Sequence, residues 1–411
     1  MKEAPMQVEW LILDLNSFFA SCEQQSNPHL RGKPVAIVPS MTDSTSVIAA
    51  SYEAKKHGIR TGTSVGDAKK LCPNIHLQVA RHRLYLEYHH AIIKAVEECV
   101  PIESIMSIDE MACQLMDNEK PVDAATALAK KIKANIREKV GECLTSSIGL
   151  APNKFLAKVA SDMKKPDGLT VITRADLPGK LLPLDLSDLC GIGDGMLQRL
   201  NNAGIFSIED LYDASAEELH DIWGGIEGDR FYAMLHGESV YRPTSERRSI
   251  SHQHVLEPPL RNRDGARKFA RYLLMKAAQR LRSLGLYCRH LSVQVKFAKP
   301  GGYWSDDMRF AETQSSQDLL SWLEQMWANA PDNPPLRVTI VLSDFTAATS
   351  HQMDLFAVPA QQKVESSLLG SMDKINKRYG YGTIGFGDLK PDFRHFNGRI
   401  AFQKVPDFEE F

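Results

Sequence analysis

Glu103-Ser-Ile-Met-Ser-Ile-Asp109-Glu110-Met-Ala-Cys113 is the stretch on which the reading of this chain turns. Ile102, Ile105, Ile108 and Met111 supply a buried face if the segment is two short strands meeting at a tight turn. Asp109 and Glu110 then sit at the tip of the hairpin. Adjacent carboxylates repel and are costly to desolvate, so in an apolar setting they require a cation, and hard oxygen donors favour magnesium or manganese. A third acid completes such a site. Asp14 ends the apolar run Trp10-Leu-Ile-Leu13, where a buried strand delivers it. Singly, an Asp-Glu pair in a turn is most often a solvated loop and an Asp after a strand a cap, so the surroundings decide.

At 411 residues the chain exceeds one ordinary core and is expected to form two to four domains. Its 43% hydrophobic and 24% charged residues are ordinary globular composition, which argues against disorder. No apolar run approaches the ~18 residues of a spanning helix, and Met1 to Pro5 resembles no signal peptide. A soluble cytoplasmic protein with no membrane partner is the expectation. Seven scattered cysteines without a CxxC pair argue against a disulfide framework or zinc, and 13 histidines lack HExxH spacing. The net charge of −2 conceals a basic island between Thr244 and Lys299, where thirteen Lys and Arg face only Glu246, Glu257 and Asp264. A local patch of that kind, and not the total, meets a phosphate backbone.

Along the chain, Val8 to Asp14 reads as a buried strand and Phe18 to Gln25 as a helix entered through Asn16-Ser17 as N-cap. Lys33 to Val38 is a strand; Ala49 to Lys56 turns helical, with Gly58 as its C-cap. Long amphipathic helices cover Arg81 to Val100 and Pro121 to Val140. Leu144 to Leu150, Pro152 to Met163 and Leu169 to Ile172 read as strand, helix and strand, an α+β layer with an inserted subdomain. Leu184 to Gly237 changes to short helices divided by glycines, and two helices joined at Gly191-Ile-Gly193 form a helix-hairpin-helix whose turn amides can hold a DNA phosphate. Glu238 to Ser249 looks like a linker. A separate domain follows: a strand, the basic helix Asp264 to Leu284, strands Leu291 to Phe297 and Met308 to Phe310, helix Ser316 to Ala330, and strand Leu336 to Leu342.

With Asp14, Asp109 and Glu110 in order, the chain resembles the Y-family translesion DNA polymerases over residues 8–345. The resemblance is carried by Asp14-Leu-Asn-Ser-Phe18-Phe19-Ala-Ser-Cys-Glu23, Gly32-Lys33-Pro34-Val35, Tyr52-Glu-Ala-Lys55, Ser107 to Glu110, Ser147-Ile-Gly-Leu-Ala-Pro-Asn153-Lys154, Lys165-Pro166-Asp-Gly168 and Gly191-Ile-Gly193. It implies a multidomain α+β right-hand polymerase. The ferredoxin-like palm would span 1–17 and 83–173, small fingers 18–82, a helix-hairpin-helix thumb 174–241, a linker 242–249, an α/β little finger 250–347 and a tail 348–411.

Roles follow from the same resemblance. Asp14, Asp109, Glu110 and the Leu15 carbonyl would hold two Mg2+ ions, with Mn2+ as the alternative, for nucleotidyl transfer. Phe18, Tyr52, Lys55 and Lys165 would contact the deoxynucleoside triphosphate. The family often has Arg at the position of Lys55; Lys offers a point charge in place of a bidentate fork. Phe19 matches the steric gate that rejects a ribose 2′-hydroxyl, and Ala49 and Ala50 would leave room over the nascent base pair. Primer-template DNA would lie on Gly191, Gly193, Arg247, Arg248, Arg267, Arg271 and Arg289. The implied activity is DNA-directed DNA synthesis past lesions, in an SOS-type damage response. A catalytically silent clamp-docking scaffold for another polymerase is the alternative, but such relatives lose the metal-binding acids, and all three are here.

His351-Gln352-Met-Asp-Leu355-Phe356 looks like a bacterial sliding-clamp motif in which Leu355 and Phe356 fill an apolar pocket while Gln352 fixes register. Leu368 to Gly387 resembles the tail of the polymerase V catalytic subunit, whereas Tyr52-Glu-Ala leans toward polymerase IV. Polymerase V-type accessory subunits are therefore weighed as partners.

Overall fold

The computed structural model describes residues 6–241, 247–298, 301–350, 359–380, 383–386 and 405. The chain divides between Arg242 and Pro243 into two compact units, each described by itself.

The first unit runs β1 (Trp10–Leu15), α1 (Phe18–Ser26), β2 (Val35–Val38), β3 (Ala49–Ala50), α2 (Tyr52–Lys55), α3 (Val65–Leu71), β4 (His76–Val79), α4 (His82–Glu97), β5 (Ser104–Ile105), β6 (Glu110–Gln114), α5 (Val122–Lys139), β7 (Ser146–Ala151), α6 (Lys154–Met163) and β8 (Leu169–Val171). Four short helices follow: α7 (Asp194–Asn202), α8 (Ile208–Asp213), α9 (Ala216–Trp223) and α10 (Ile226–Leu235). Because β1 is apolar on both faces it can lie only at the centre of a sheet, and the five strands order β5-β6-β1-β7-β8. Gly149 of β7 lets α6 settle onto that sheet, since a Cβ there would meet the Ala157 carbonyl at 2.0 Å. The second sheet, β3-β2-β4, belongs to the subdomain inserted between α1 and α4.

The predicted hairpin is present, with Ser104 opposite Ala112 and Ile105 opposite Met111. Its buried face is narrower than expected, and Ile102 is only half-buried. Ile108 and Met111 are buried, but Ile105 is 46% exposed because β5 is the edge strand. Ser17 does precede α1, in the left-handed region at φ 48°, yet its side chain caps nothing; Asn16 instead reaches across to Ser147 Oγ at 3.0 Å. The helix expected from Ala49 starts only at Tyr52, since Ala49 and Ala50 pair with Ile37 and Ala36 as a strand. Before Gly191 stands a single 3-10 turn, Leu186–Asp188, where a full helix was expected; α7 follows Gly193 as predicted.

The second unit comprises β9 (Ser249–Val255), α11 (Arg263–Ser283), β10 (Leu286–Phe297), β11 (Tyr303–Thr313), α12 (Ser316–Trp327), β12 (Pro335–Ala347) and α13 (Pro359–Tyr379). Its antiparallel sheet orders β11-β10-β12-β9. Phe269, Leu274 and Leu281 of α11 and Leu319 and Leu323 of α12 bury one face against Leu291, Val293, Val338 and Ile340. Alternation along the regular stretch from Leu291 to Lys296 leaves the other face mostly polar, with rows Ser305-Gln294-Thr339-Gln253 and Tyr303-Lys296-Arg337-Val255. β11 is longer than predicted, since Ser305, Asp306 and Asp307 interrupt the apolar signal, Asp306 standing opposite Val293 on the face where an apolar residue is expected.

Helix α13 packs on this unit through buried Leu369 and Met372. Asp373 takes two hydrogen bonds from Arg282, at 2.7 and 2.8 Å, and Asn376 brackets the Ile384 backbone with two bonds of 2.9 Å. Gln352, Leu355, Phe356 and residues 388–404 lie outside the described residues.

Candidate active site

Asp14 and Glu110 are cross-strand partners at the ends of β1 and β6, a consequence of the register that pairs Leu13 with Met111. The Leu15 amide donates to the Asp109 carbonyl at 2.8 Å, which locks the turn against β1. Ser107 Oγ donates to Asp109 Oδ1 at 2.5 Å. From beneath, the wholly buried His89 meets the Ile108 carbonyl through Nδ1 at 2.7 Å. Asp14 thus meets the distant Asp109-Glu110 pair where the central strand and the hairpin end together.

Lys158 on α6, which nothing in the sequence singled out, is held in this group. Its Nζ lies 2.6 Å from Asp14, 2.7 Å from Glu110 and 3.0 Å from Asp162. Lys165 closes a ring, 2.7 Å from Asp14 and 2.8 Å from Asp162. Burial works to raise the Asp14 carboxyl, but the Lys158 and Lys165 ammonium groups outweigh it and hold Asp14 below the usual range. Asp109 and Glu110 go the other way: burial raises both, and the charge of Asp14 adds to it. The donor set is all hard oxygen, partly desolvated and mutually repelling, which fits a divalent cation. Among the described residues no three such side chains already form a metal cage, and two lysines stand among these carboxylates.

A cationic cradle adjoins the acids. The Lys55 ammonium sits 4.3 Å from the centre of the Tyr52 ring. Burial lowers the Lys55 pKa, and the like charges of Lys165 and Arg60 add to that while Asp14 opposes it. Converging cations of this kind are relieved by an anion. Arg60 carries no motif that marks it. Phe18 is buried; the half-buried Phe19 ring stacks on Tyr85, centroids 4.4 Å apart at 14°.

The predicted DNA contacts divide. Gly191, at φ 96°, and Gly193 have no heavy atom within 4 Å of an added Cβ, so the turn is open. Arg247 and Arg248 are exposed. Arg267 and Arg271 are not a bare basic patch: both bond Glu324, Arg267 at 3.0 Å, because α12 packs alongside α11 and places that acid between them. Arg289 likewise pairs with Glu312 at 2.9 Å.

Residues 13–162 match the model of the impB/mucB/samB family, and residues 247–355 match that family's C-terminal domain. The first match contains Asp14, Asp109, Glu110, Lys158 and Asp162. DNA polymerase IV of Moorella thermoacetica is 34% identical over 388 residues, covering 91% of this chain and 94% of that relative. DNA polymerase IV 1 of Bacillus subtilis is 29% identical, covering 91% of each. Among solved structures, the Y-family DNA polymerase chimera Dbh-Dpo4-Dbh superposes with a TM-score of 0.68 at 25% identity, over 82% of this chain and 99% of its own. The insertion ternary complex of Dbh DNA polymerase shares the fold, with a TM-score of 0.55 at 24% identity over 82% of this chain and 99% of its own. Among the described residues no helix is long and apolar enough to cross a membrane. Sequence and architecture agree over most of the length, and the chain belongs to the impB/mucB/samB family, the Y-family DNA polymerases.

Proposed function

We propose that this DNA-directed DNA polymerase extends primers past template lesions by two-metal nucleotidyl transfer and is recruited by a sliding clamp. The observation that carries the reading is the Asp14–Glu110 strand pair, with Asp109 beside it and the Lys55–Tyr52–Lys165 cradle adjoining. Asp14, Asp109, Glu110 and the Leu15 carbonyl would hold the magnesium ions. When bound, these supply the positive charge that favours the ionised primer 3′-hydroxyl and neutralises the leaving pyrophosphate. Tyr52, Lys55, Arg60 and Lys165 bind and orient the triphosphate, while Phe19 lies beneath the sugar and excludes a 2′-hydroxyl. The small Ala49 and Ala50 leave room for a damaged base.

In the first unit, the open amides at Gly191 and Gly193 would meet DNA phosphates. In the second unit, taken by itself, the exposed Arg247 and Arg248 and the sheet face bearing Lys296 and Arg337 would do so. Arg267, Arg271 and Arg289 are better read as intramolecular partners. Gln352, Leu355 and Phe356 would dock on the clamp, where tethering near millimolar local concentration replaces weak encounter from solution. The polymerase V-like tail leaves accessory subunits as further partners.

Primer extension on undamaged and abasic templates with magnesium tests the reading, comparing wild type with Asp109→Ala, each with and without clamp. Extension past the abasic site by wild type, stimulated by clamp and abolished in Asp109→Ala, is expected. Full activity in Asp109→Ala would overturn the site, and a stop at every abasic position would overturn the lesion-bypass role.

A further inference from the structure

The Phe19 ring does not rest on generic core. It lies flat on Tyr85 of α4, with His82 edge-on at 6.2 Å and 88°. Tyr85 is fully buried, and its hydroxyl donates to Glu23 Oε1 at 2.8 Å. Glu23 is one helical turn beyond Phe19 on α1 and is itself wholly buried. Arg81 clamps that carboxylate, its Nε 3.0 and 3.1 Å from the two oxygens and its Nη2 bonded to Oε2, and it also donates to Ser26 Oγ at 3.1 Å.

These contacts close a loop. The path runs from Phe19 on α1, across the ring stack to Tyr85 on α4, through its hydroxyl to Glu23, and back along α1 to Phe19. A buried carboxylate is a costly anchor unless fully paired, and here Arg81 and Tyr85 pair it together. Phe19 cannot tilt toward α4 unless Tyr85 moves, and Tyr85 is tied at its far end.

We infer that Tyr85, fixed by Glu23 and Arg81, is a positioning residue for the Phe19 gate and sets how strongly the polymerase rejects ribonucleotides. The inference rests on the reading of Phe19 as that gate. A gate discriminates only if its ring resists the push of a 2′-hydroxyl. An unsupported ring yields, and yielding admits the wrong sugar while leaving the right one unaffected by the same contact.

The test is sugar selectivity, the ratio of kcat/KM for a deoxynucleotide to that for the matching ribonucleotide, measured on full-length wild type, Phe19→Ala, Tyr85→Leu and Tyr85→Phe. Both values come from one sample, so a loss of folded fraction cancels. Phe19→Ala should collapse the ratio. Tyr85→Leu, which removes the flat backing, should lower it by roughly two- to tenfold, the worth of one aromatic stack. Tyr85→Phe keeps the ring and its volume, loses only the tie to Glu23, and should fall between wild type and Tyr85→Leu. If Phe19→Ala collapses selectivity while both Tyr85 variants match wild type, Tyr85 is plain core and the inference fails alone. Unchanged selectivity in Phe19→Ala would overturn the gate and the inference with it.

Discussion

Replacing Lys158 with Met keeps the length of the side chain and removes its charge. In wild type this ammonium bonds Asp14, Glu110 and Asp162 with only 15% of its side chain exposed. Removing one partner of a buried pair costs about 3–5 kcal/mol. Asp14 and Asp162 retain Lys165, so the carboxylate left uncovered is Glu110, which is 25% exposed. The lower end, about 3 kcal/mol, is therefore expected, or roughly 6–12 °C in melting temperature for a unit of this size. The assay is thermal unfolding in chelator and again in magnesium. A cation bound by Asp14 and Glu110 must compete with the Lys158 ammonium in wild type but not in the variant, so magnesium should raise the melting temperature of Lys158→Met by more. Two results would contradict this: a variant as stable as wild type in chelator, or equal magnesium stabilisation of both proteins.

Three further outcomes are expected. His89 has its pKa depressed to about 4 by burial, against a partly compensating bond to the Ile108 carbonyl, so between pH 6.5 and 4 the unfolded chain binds a proton that the folded one refuses. Stability should then fall with pH across that window by up to about 3 kcal/mol. Acid titration of unfolding in wild type against His89→Gln isolates the effect, since other groups cancel, and parallel curves would exclude it. Lys296→Ala on the open sheet face should reduce the salt slope of primer-template binding by about 0.9 for each phosphate that is no longer neutralised. Arg271→Ala should leave the slope unchanged while destabilising the second unit. The reverse pattern, read by binding titrations at several salt concentrations, would return the DNA to α11.

Much of the first unit is legible in the sequence because its signals are local. The apolar run ending at Asp14, the hairpin around Asp109 and Glu110, and the amphipathic spans of α4 and α5 each depend on residues within a few positions of one another. The misses share a cause as well. Ala49 and Ala50 have the composition of a helix and become a strand because β2 offers a ladder. Ile105 has the pattern of a core residue and stays exposed because β5 lies at an edge. Lys158 and Asp162, four apart on a helix, carry no mark in the sequence and gain their place only when Gly149 lets α6 sink onto the sheet beside Asp14.

The order of the chemistry is written in the chain itself: three acids, a tyrosine and two lysines, an aromatic pair at the start of α1, and the family to which they point. Which charges are neutralised inside the molecule emerges only once the helices and sheets have packed. Arg271 and Glu324 are 53 residues apart, Arg282 and Asp373 are 91, and Lys158 and Asp14 are 144. Periodicity and turn chemistry act over a few residues, whereas an ion pair depends on which helix packs against which, and a basic island in sequence is a basic surface only where packing brings no acid to meet it.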